Sequence, residues 1–530
     1  MFGQRPVVSS LQGMVVAAHP HAAAAGARIL RSGGNAFDAI VATAATLNVV
    51  EPFMSGLAGL GMATMWSAQD QAVRTLDFVS AVPNDVDPQQ LTRADIFHGR
   101  KASAPPGSLA GWAEIHRRYG QLPFAQLLAP AIELARGGYP VTDGIPYMNA
   151  DWFDLHHTDA EWLRTYTNGT EHVEVGWVLR QPDLGDTLTA IAQHGPGYLY
   201  DGPLGEKMVA HLRAGGASLA IEDLRQVAPK WLEPIAVQYR DLNIHTLAPP
   251  AESFQFLLTL GALQHVDFSR IDANSTEHLD RVCRAVRLAA ELRIQHNKAD
   301  RQTIRRLLSD QHLQALGRQV LDNEVLSGRT QRWEPVTDPA LINMREHTTS
   351  FSAADAQGNM ICITQSLGSV YGSGVVIPNT GVCMNNFLNW GDVNPNSPNF
   401  LTGGAQIAMC LAPTISLRDG QPVLALGTPG SYGILQTQAQ AIVQYMDYQL
   451  DLQRALEAPR FRAYDGSNIA VEGRVHADVV DGLRSRGHSV QVVEPWTAKM
   501  GGLHAISRDP QTGVLTGAAD PRRDGYAVMP

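Results

Sequence analysis

HTTSFSAADAQGN, residues 347–359, decides how this chain is read. A histidine stands before two threonines, polar and apolar residues then roughly alternate, and an Asp/Gly turn follows. That order puts two tandem hydroxyls at the head of a β-strand. A threonine hydroxyl is a poor nucleophile unless a base stands beside it. No local Ser-His-Asp arrangement and no GxSxG elbow surrounds Thr348. One device needs no second residue. A cut just before Thr348 frees its own α-amine, whose pKa of roughly 7.7–8.0 lets it accept a proton near neutrality. The same hydroxyl can make that cut by attacking the His347 carbonyl. The competing reading is two ordinary β-branched strand formers, so the context has to choose.

Downstream, MICITQSL, GVVI, GVCMNN, APTISLR and QPVLALG are short β-like runs between turn signals. After PGSYG comes ILQTQAQAIVQYM, a helix. Upstream, residues 21–31 are alanine-rich and end before Gly33-Gly34, a helix with its stop. AFDAIVATAATLNVV is apolar on most sides and predicts a buried helix. EPFMSGLAGLGMATMWS runs through a glycine-rich loop into a strand, and AVRTLDF returns. From Ala113 to about Val336 the pattern is mainly helical, and the polar stretch 301–336 reads as an exposed connector. Strands near both chain ends with helices between predict one large αβ unit.

Of the 530 residues, 17% are charged and 44% hydrophobic, which suits a folded enzyme with a large core. Net charge is −10 and no lysine/arginine run is long, so nucleic acid is not an expected partner. Cys283, Cys362, Cys383 and Cys410 form no CxxC pair and read as buried free thiols, not as a disulfide framework or a zinc site. GLAGLG (56–61) has the wrong spacing for a dinucleotide loop and reads as backbone passing close to a site. No cofactor or metal is expected. No stretch is apolar enough to span a membrane. The first residues lack an apolar signal region, so a cytoplasmic location is expected, or a periplasmic one if a leader has been removed.

Taken together, GGNAFDAIVA (33–42), EPFMSGLAGLG (51–61), PPGSLAGW (105–112), LAPAIELARGGYPVT (128–142), EDLRQVAPKWLEPI (222–235) and TTSFSAADAQGN (348–359) resemble the gamma-glutamyltransferase family of N-terminal-nucleophile (Ntn) hydrolases, in family order. MNNF, LAPTISLRDGQPVLALGTPGS, EAPRF and GAADPRRDG continue the match. The resemblance implies an α+β fold, a four-layer αββα sandwich with additional helices. It implies a precursor that cuts itself at 347/348 into a large subunit (1–347) and a small one (348–530) that stay together as one unit. By motif Thr348 is the nucleophile, Thr349 its support, and His347 the residue before the cut, which tunes cleavage or only links. Ser366 falls where the family has a threonine near the nucleophile. Gly430 and Ser431 align with the family's paired glycines, whose amides would stabilise the oxyanion. Serine in place of the second glycine is costly if that position needs φ > 0. Asn385 and Asn386 hold the pocket wall through their amides, with Asn386 on the substrate side, or else form a plain turn.

The chain departs from the family where a γ-glutamyl group would be read. Val79 stands where the family has an arginine, Met409 and Cys410 where it has two serines, and Trp390 where it has an aspartate, with Asp392 two residues on. A zwitterion buried without partners costs several kcal/mol. The expected reaction is therefore hydrolysis or transfer of an amide whose acyl group is neutral or apolar, through an acyl-enzyme on Thr348. The expected partners are a small amide and water or an amine acceptor, with a homo-oligomer left open. Three alternatives stand beside it. One is a conventional γ-glutamyltransferase or glutathione hydrolase, with charge supplied by Arg74, Arg100 or Lys101. Another is a small-amide hydrolase such as an oxamate amidohydrolase. The last is a non-catalytic binding relative.

Two charged clusters remain. FDLHHTDAEW (153–162) gathers Asp154, His156, His157 and Asp159, a set able to hold a metal but read as solvated surface. In DPRRDG (520–525), Asp520, Arg522 and Arg523 read as a structural ion-pair knot.

Overall fold

The structure, a computed structural model, describes residues 5–169, 173–322, 324, 326–332 and 347–530. The stretch after the opening threonine forms the strand Thr349–Asp355, hydrogen-bonded on one side to Met360–Ser366 and on the other to Gly13–Ala17. Both neighbours run antiparallel to it. Leu60–Ser67, Ala72–Asp77, Lys230–Leu232 and Tyr526–Val528 complete a seven-stranded sheet with the nucleophile strand near its middle. Asp355 closes the strand. Its carboxylate accepts the Gln357 and Asn359 amides at 3.0 Å and, across the layer, the Ala36 amide at 2.8 Å.

A second seven-stranded sheet carries Gln421–Gly427 at its centre, between Thr414–Arg418 and His504–Arg508. The two sheets lie face to face, as alternation along the strands requires. Phe351 and Ala353 pack with the helices Pro20–Arg31 and Ala36–Val50. Ala354, Met360 and Cys362 pack instead with Ile415, Ala425 and Ile506 of the second sheet. The outer face of the second sheet is covered by Phe254–Leu263, Thr276–Gln295 and Ile434–Met446. These layers make the αββα sandwich that the resemblance implied, built from both halves of the chain.

Residues 113–336 are less uniformly helical than their sequence suggests. Lys230–Leu232, Ile235–Tyr239 and Leu242–Thr246 are strands, and the last two form the edge hairpin of the second sheet. Val237 and Tyr239, then Leu242, Ile244 and Thr246, are buried in alternation. Nor is the polar stretch 301–336 an exposed connector where it is described. Asp310–Leu321 is a helix that buries Leu313, Leu316 and Val320 against Phe254–Leu263. Residues 333–346 lie outside the described residues.

Candidate active site

The strand period gives the two threonines different neighbourhoods. Thr349 shares the parity of Phe351 and Ala353 and therefore faces the helical layer. There its hydroxyl approaches the carboxyl of Glu51, the residue that ends the helix Ala36–Val50. Thr348 shares the parity of Ser350 and Ser352, the side of the second sheet. On that side Gly427 approaches so closely that a Cβ on it would lie 2.0 Å from Ser350 Oγ. The turn Thr428–Ser431 follows Gly427 directly.

Thr348 is 2% exposed, and its Oγ1 donates a hydrogen bond to the His347 carbonyl at 2.7 Å. The register Thr349↔Gln365 sets Ser366 opposite Thr348. Ser366 Oγ donates to the same His347 carbonyl at 2.8 Å and is itself oriented by the Gly368 amide at 2.8 Å. Two hydroxyls thus converge on the carbonyl of the 347–348 peptide bond. Both donate to its oxygen, the atom on which negative charge would build if that carbonyl were attacked. GLAGLG makes this approach feasible, since a Cβ on Gly59 would stand 2.4 Å from the Ser366 carbonyl oxygen. Replacing Ser366 by alanine is expected to slow cleavage by about 10²-fold, the cost of one oxyanion donor. Ser366→Thr should cleave at a rate near wild type. Fragment appearance over time on a denaturing gel measures both; equal rates for Ser366→Ala and wild type would remove Ser366 from the reaction.

His347 is buried, and burial together with nearby Arg523 holds its imidazole well below the usual range. It is therefore a neutral ring, edge-on to Trp152 at 5.4 Å. Arg523 corrects the reading of DPRRDG. Asp520 and Arg522 do belong to a buried knot, but Arg523 Nη1 lies 3.4 Å from the Thr348 carbonyl and 3.5 Å from Met54 Sδ. Glu51 and Arg523 are the site residues that sequence reasoning missed. Glu51 opens the quoted EPFMSGLAGLG motif, but nothing in the sequence tells which of its residues meets the threonines.

Burial pushes the Glu51 carboxyl up to about 7, against the pull of the Thr349 hydroxyl and Arg523. A carboxyl raised in the folded state binds its proton more tightly there than in the unfolded chain. Its stabilising contribution is complete below about pH 4.3 and is lost as pH rises through 7. Glu51→Gln should therefore flatten the decline in unfolding free energy between pH 5 and 8 by on the order of 2 kcal/mol. Urea titrations at several pH values read this out, and parallel curves for variant and wild type would refute it.

Gly430 has φ 124° and Ser431 φ 54°. The second position does require the left-handed region, and here a serine occupies it at a cost of roughly 1–2 kcal/mol. Gly501, folded against this turn, leaves Cα 3.7 Å from where a Gly430 Cβ would sit. The Gly502 amide donates to Thr428 Oγ1 at 3.1 Å.

The apolar substitutions fall together. Val79, Trp390, Met409 and Cys410 pack in one cluster with Leu60, Met62 and Tyr432, the residue after Ser431. Val79 lies two residues beyond its strand, its amide on Asp77 Oδ1 at 2.8 Å. Of the alternative cations, Arg74 pairs with Asp70 at 3.3 Å and Lys101 with Asp95 at 3.0 Å. Asn385 donates to the Ala58 and Ala104 carbonyls, and Asn386 to Phe97 O and Ser369 Oγ. Both side-chain amides are thus committed to hydrogen bonds within the fold. Asn386 Oδ1 also accepts the Ser369 amide at 2.9 Å.

The FDLHHTDAEW cluster comes apart. His156 is fully buried, stacked on Trp152 and hydrogen-bonded to His98 at 3.2 Å, so it is not solvated surface. Asp159 caps the helix Ala160–Tyr166, and His157 stacks on Phe153. Among the described residues no group of three or more His, Cys, Asp or Glu side chains is placed to hold a metal. All four cysteines are buried free thiols.

Two stacked antiparallel sheets between helical layers, with a buried threonine hydroxyl at the head of a central strand, define the Ntn-hydrolase class. Comparison with known proteins narrows this. Residues 22–529 match the family Gamma-glutamyltranspeptidase, and the chain belongs to it. The chain is 32% identical to an Acylase ACY 1 proenzyme of a Pseudomonas strain, over 99% of this chain and 95% of that one. It is 30% identical to the Oxamate amidohydrolase proenzyme of Klebsiella pneumoniae, over 98% of each. Among solved structures, a cephalosporin acylase from Bacillus halodurans superposes with a TM-score of 0.89 at 29% identity, covering 100% of this chain and 98% of that one. The gamma-glutamyltranspeptidase of Helicobacter pylori gives 0.55 at 25% identity, over 58% of this chain and 91% of that one. The relatives are acylases, glutathione hydrolases and an oxamate amidohydrolase, all within one hydrolase family. No helix among the described residues is long and apolar enough to cross a membrane.

Proposed function

We propose that the chain is an autoprocessing threonine amidohydrolase or acyltransferase, cut between His347 and Thr348. The observation that carries this reading is the convergence of Thr348 Oγ1 and Ser366 Oγ on the His347 carbonyl at 2.7 and 2.8 Å. After the cut, the Thr348 α-amine takes the proton from its own hydroxyl, and the alkoxide attacks the substrate amide. The Gly430 and Ser431 amides receive the oxyanion, an ester forms on Oγ, the amine leaves, and water or a second amine resolves the ester. Thr349 and Glu51 brace the nucleophile strand from the helical side. The two subunits stay together because the central strand of each sheet comes from the small one.

The acyl group is proposed to run along an apolar wall. Val79, Trp390, Met409 and Cys410 form one cluster beside the oxyanion turn and offer no partner for an α-ammonium on that side. The proenzyme names of the relatives support a single precursor, and the acylase names support an amide that is not γ-glutamyl. The test is turnover of p-nitroanilides by purified, processed protein. A pentanoyl anilide is expected to be cleaved with at least the efficiency of the γ-glutamyl anilide. A large preference for γ-glutamyl would return the chain to the conventional activity of its family.

A further inference from the structure

Two turns bring charge to the head of the nucleophile strand. In the first, which follows the helix Ala36–Val50, the Met54 amide donates to the Glu51 carbonyl at 3.0 Å. The Leu367 amide donates to the Met54 carbonyl at 3.1 Å and ties that turn to the end of the Ser366 strand. Glu51 is 4% exposed and reaches toward the Thr349 hydroxyl. In the second turn, near the C-terminus, Arg523 Nη1 lies 3.5 Å from Met54 Sδ and 3.4 Å from the Thr348 carbonyl oxygen. The Arg523 stem runs past Gly502, where a Cβ would stand 2.6 Å from its Cδ. Glycine at that position leaves room for the guanidinium at the strand head.

A cut at 347/348 turns the Thr348 nitrogen from an amide into an amine. Standard bond lengths keep the nitrogen and the carbonyl oxygen of one residue within about 3.6 Å. Adding the 3.4 Å contact puts Arg523 Nη1 within about 7 Å of that amine. The amine has to be unprotonated to accept a proton from Oγ1, yet an α-amine of ordinary pKa, roughly 7.7–8.0, is mostly ammonium at pH 7. A cation nearby disfavours the ammonium, and a carboxylate favours it. Arg523 and Glu51 therefore pull on the amine in opposite directions, and Arg523 pulls on the Glu51 carboxyl as well. Burial holds the imidazoles of His347 and His504 below their usual range and the Cys362 thiol above its own, so all three are neutral near pH 7. Asp524 acts on Glu51 from the second turn, and its Oδ2 accepts the Thr142 hydroxyl at 2.6 Å. The cut itself adds the new carboxylate of His347.

We propose that Arg523 and Glu51 are opposed positioning residues that set the protonation of the Thr348 α-amine. Arg523 keeps the amine unprotonated before attack, and Glu51 steadies the ammonium formed when the amine takes the Oγ1 proton. This rests on the threonine-nucleophile reading and deepens it. The proton moves from Oγ1 to the amine, the alkoxide attacks the substrate carbonyl, and the ammonium then gives that proton to the leaving amine. The step draws no proton from either side chain.

The test is the pH profile of kcat/KM for the pentanoyl anilide with processed protein. Wild type should rise along an acid limb whose midpoint reports the amine. Arg523→Gln should move that midpoint to higher pH by about one unit, a loss of about tenfold at the foot of the limb. Glu51→Gln should move it to lower pH, and by less, because the carboxyl is itself partly protonated near 7. Arg523→Lys keeps the charge and should keep the midpoint, whatever its rate. A residue that only held the fold would change the rate without moving the midpoint. Protein carrying 15N-labelled threonine reads the amine directly, since the cut gives Thr348 a free α-amine whose resonance stands apart from the amides. Its titration should show the same two shifts. If Arg523→Gln stays uncut, Glu51→Gln and Arg523→Lys still decide. A processed, active wild type whose midpoint Glu51→Gln leaves in place would overturn the pair, as would neutralised variants that both shift the same way. A wild type without Thr348 as a new N-terminus would instead overturn the threonine reading, and the pair with it.

Discussion

Thr348→Ala yields one uncut chain on a denaturing gel, where wild type gives fragments spanning 1–347 and 348–530 with Thr348 as the new N-terminus. Amide turnover by the variant falls by about 10⁴-fold or more, the scale seen when a covalent nucleophile is removed. Both losses follow from one atom. Oγ1 of Thr348 is the hydroxyl that meets the His347 carbonyl at 2.7 Å, and after cleavage the same oxygen is the one beside a free amine. Thr348→Ser keeps the oxygen and should still cleave, more slowly, because the lost methyl no longer restricts χ1. Thr349→Ala makes the control, since its hydroxyl faces Glu51 on the opposite side of the sheet. That variant should process and remain active. An intact wild-type chain, or cleavage that survives in Thr348→Ala, would end the proposed mechanism.

How much of this was legible beforehand depends on the range of the interaction that sets it. The strand at 349–355 and the helix at 36–50 carry local signals: rough two-residue alternation in one, a nearly unbroken apolar run in the other. Both are plain in the sequence. The edge hairpin Ile235–Thr246 alternates as well, but its strands are five residues each and sit between long helical stretches, so the helical pattern masks them. Of the candidate site, Thr348 and Ser366 are picked out by motif, and the strand register sets them opposite each other. Val79, Trp390, Met409 and Cys410 were grouped by resemblance, and tertiary packing brings them into one cluster. Glu51 and Arg523 were not found because their role depends on contacts across about 300 and 170 residues of chain, which no local pattern encodes. His156 shows the converse. A run of His and Asp looks solvated in sequence, yet helical spacing turns one imidazole into an aromatic core beside Trp152, Trp162 and Tyr371.

Arg522→Met is expected to destabilise the fold by about 3–5 kcal/mol, the cost of breaking a buried ion pair from one side. Arg522 is held by Glu472 at 2.6 Å and Asp520 at 3.0 Å, and these three side chains are fully buried. Asp520 also meets Arg460 at 2.6 Å. Burial alone would raise the Asp520 carboxyl, but the Arg460 and Arg522 guanidiniums outweigh it and hold the pKa well below the usual carboxylate range. Stability from such a group is complete above about pH 3.9 and is lost as pH falls below it. The substitution strands two carboxylates against the remaining arginines, and the midpoint of urea unfolding at pH 7.5 should drop accordingly. A change below about 1 kcal/mol would mean that the knot adds little. The damage should also reach the chemistry, because the knot anchors the loop that backs Gly430 and Ser431, whose amides are proposed to receive the oxyanion. Asp520 Oδ2 accepts the Leu503 amide at 3.1 Å and Arg460 Nη1 donates to the Met500 carbonyl at 3.0 Å. Between them, Gly501 and Gly502 lie against Gly430 and Thr428. Loosening that loop frees Gly430 and Ser431 to leave their positive-φ geometry, which for Ser431 is already uphill. Folded Arg522→Met protein should therefore show a lower kcat with little change in KM, the pattern of a displaced oxyanion donor.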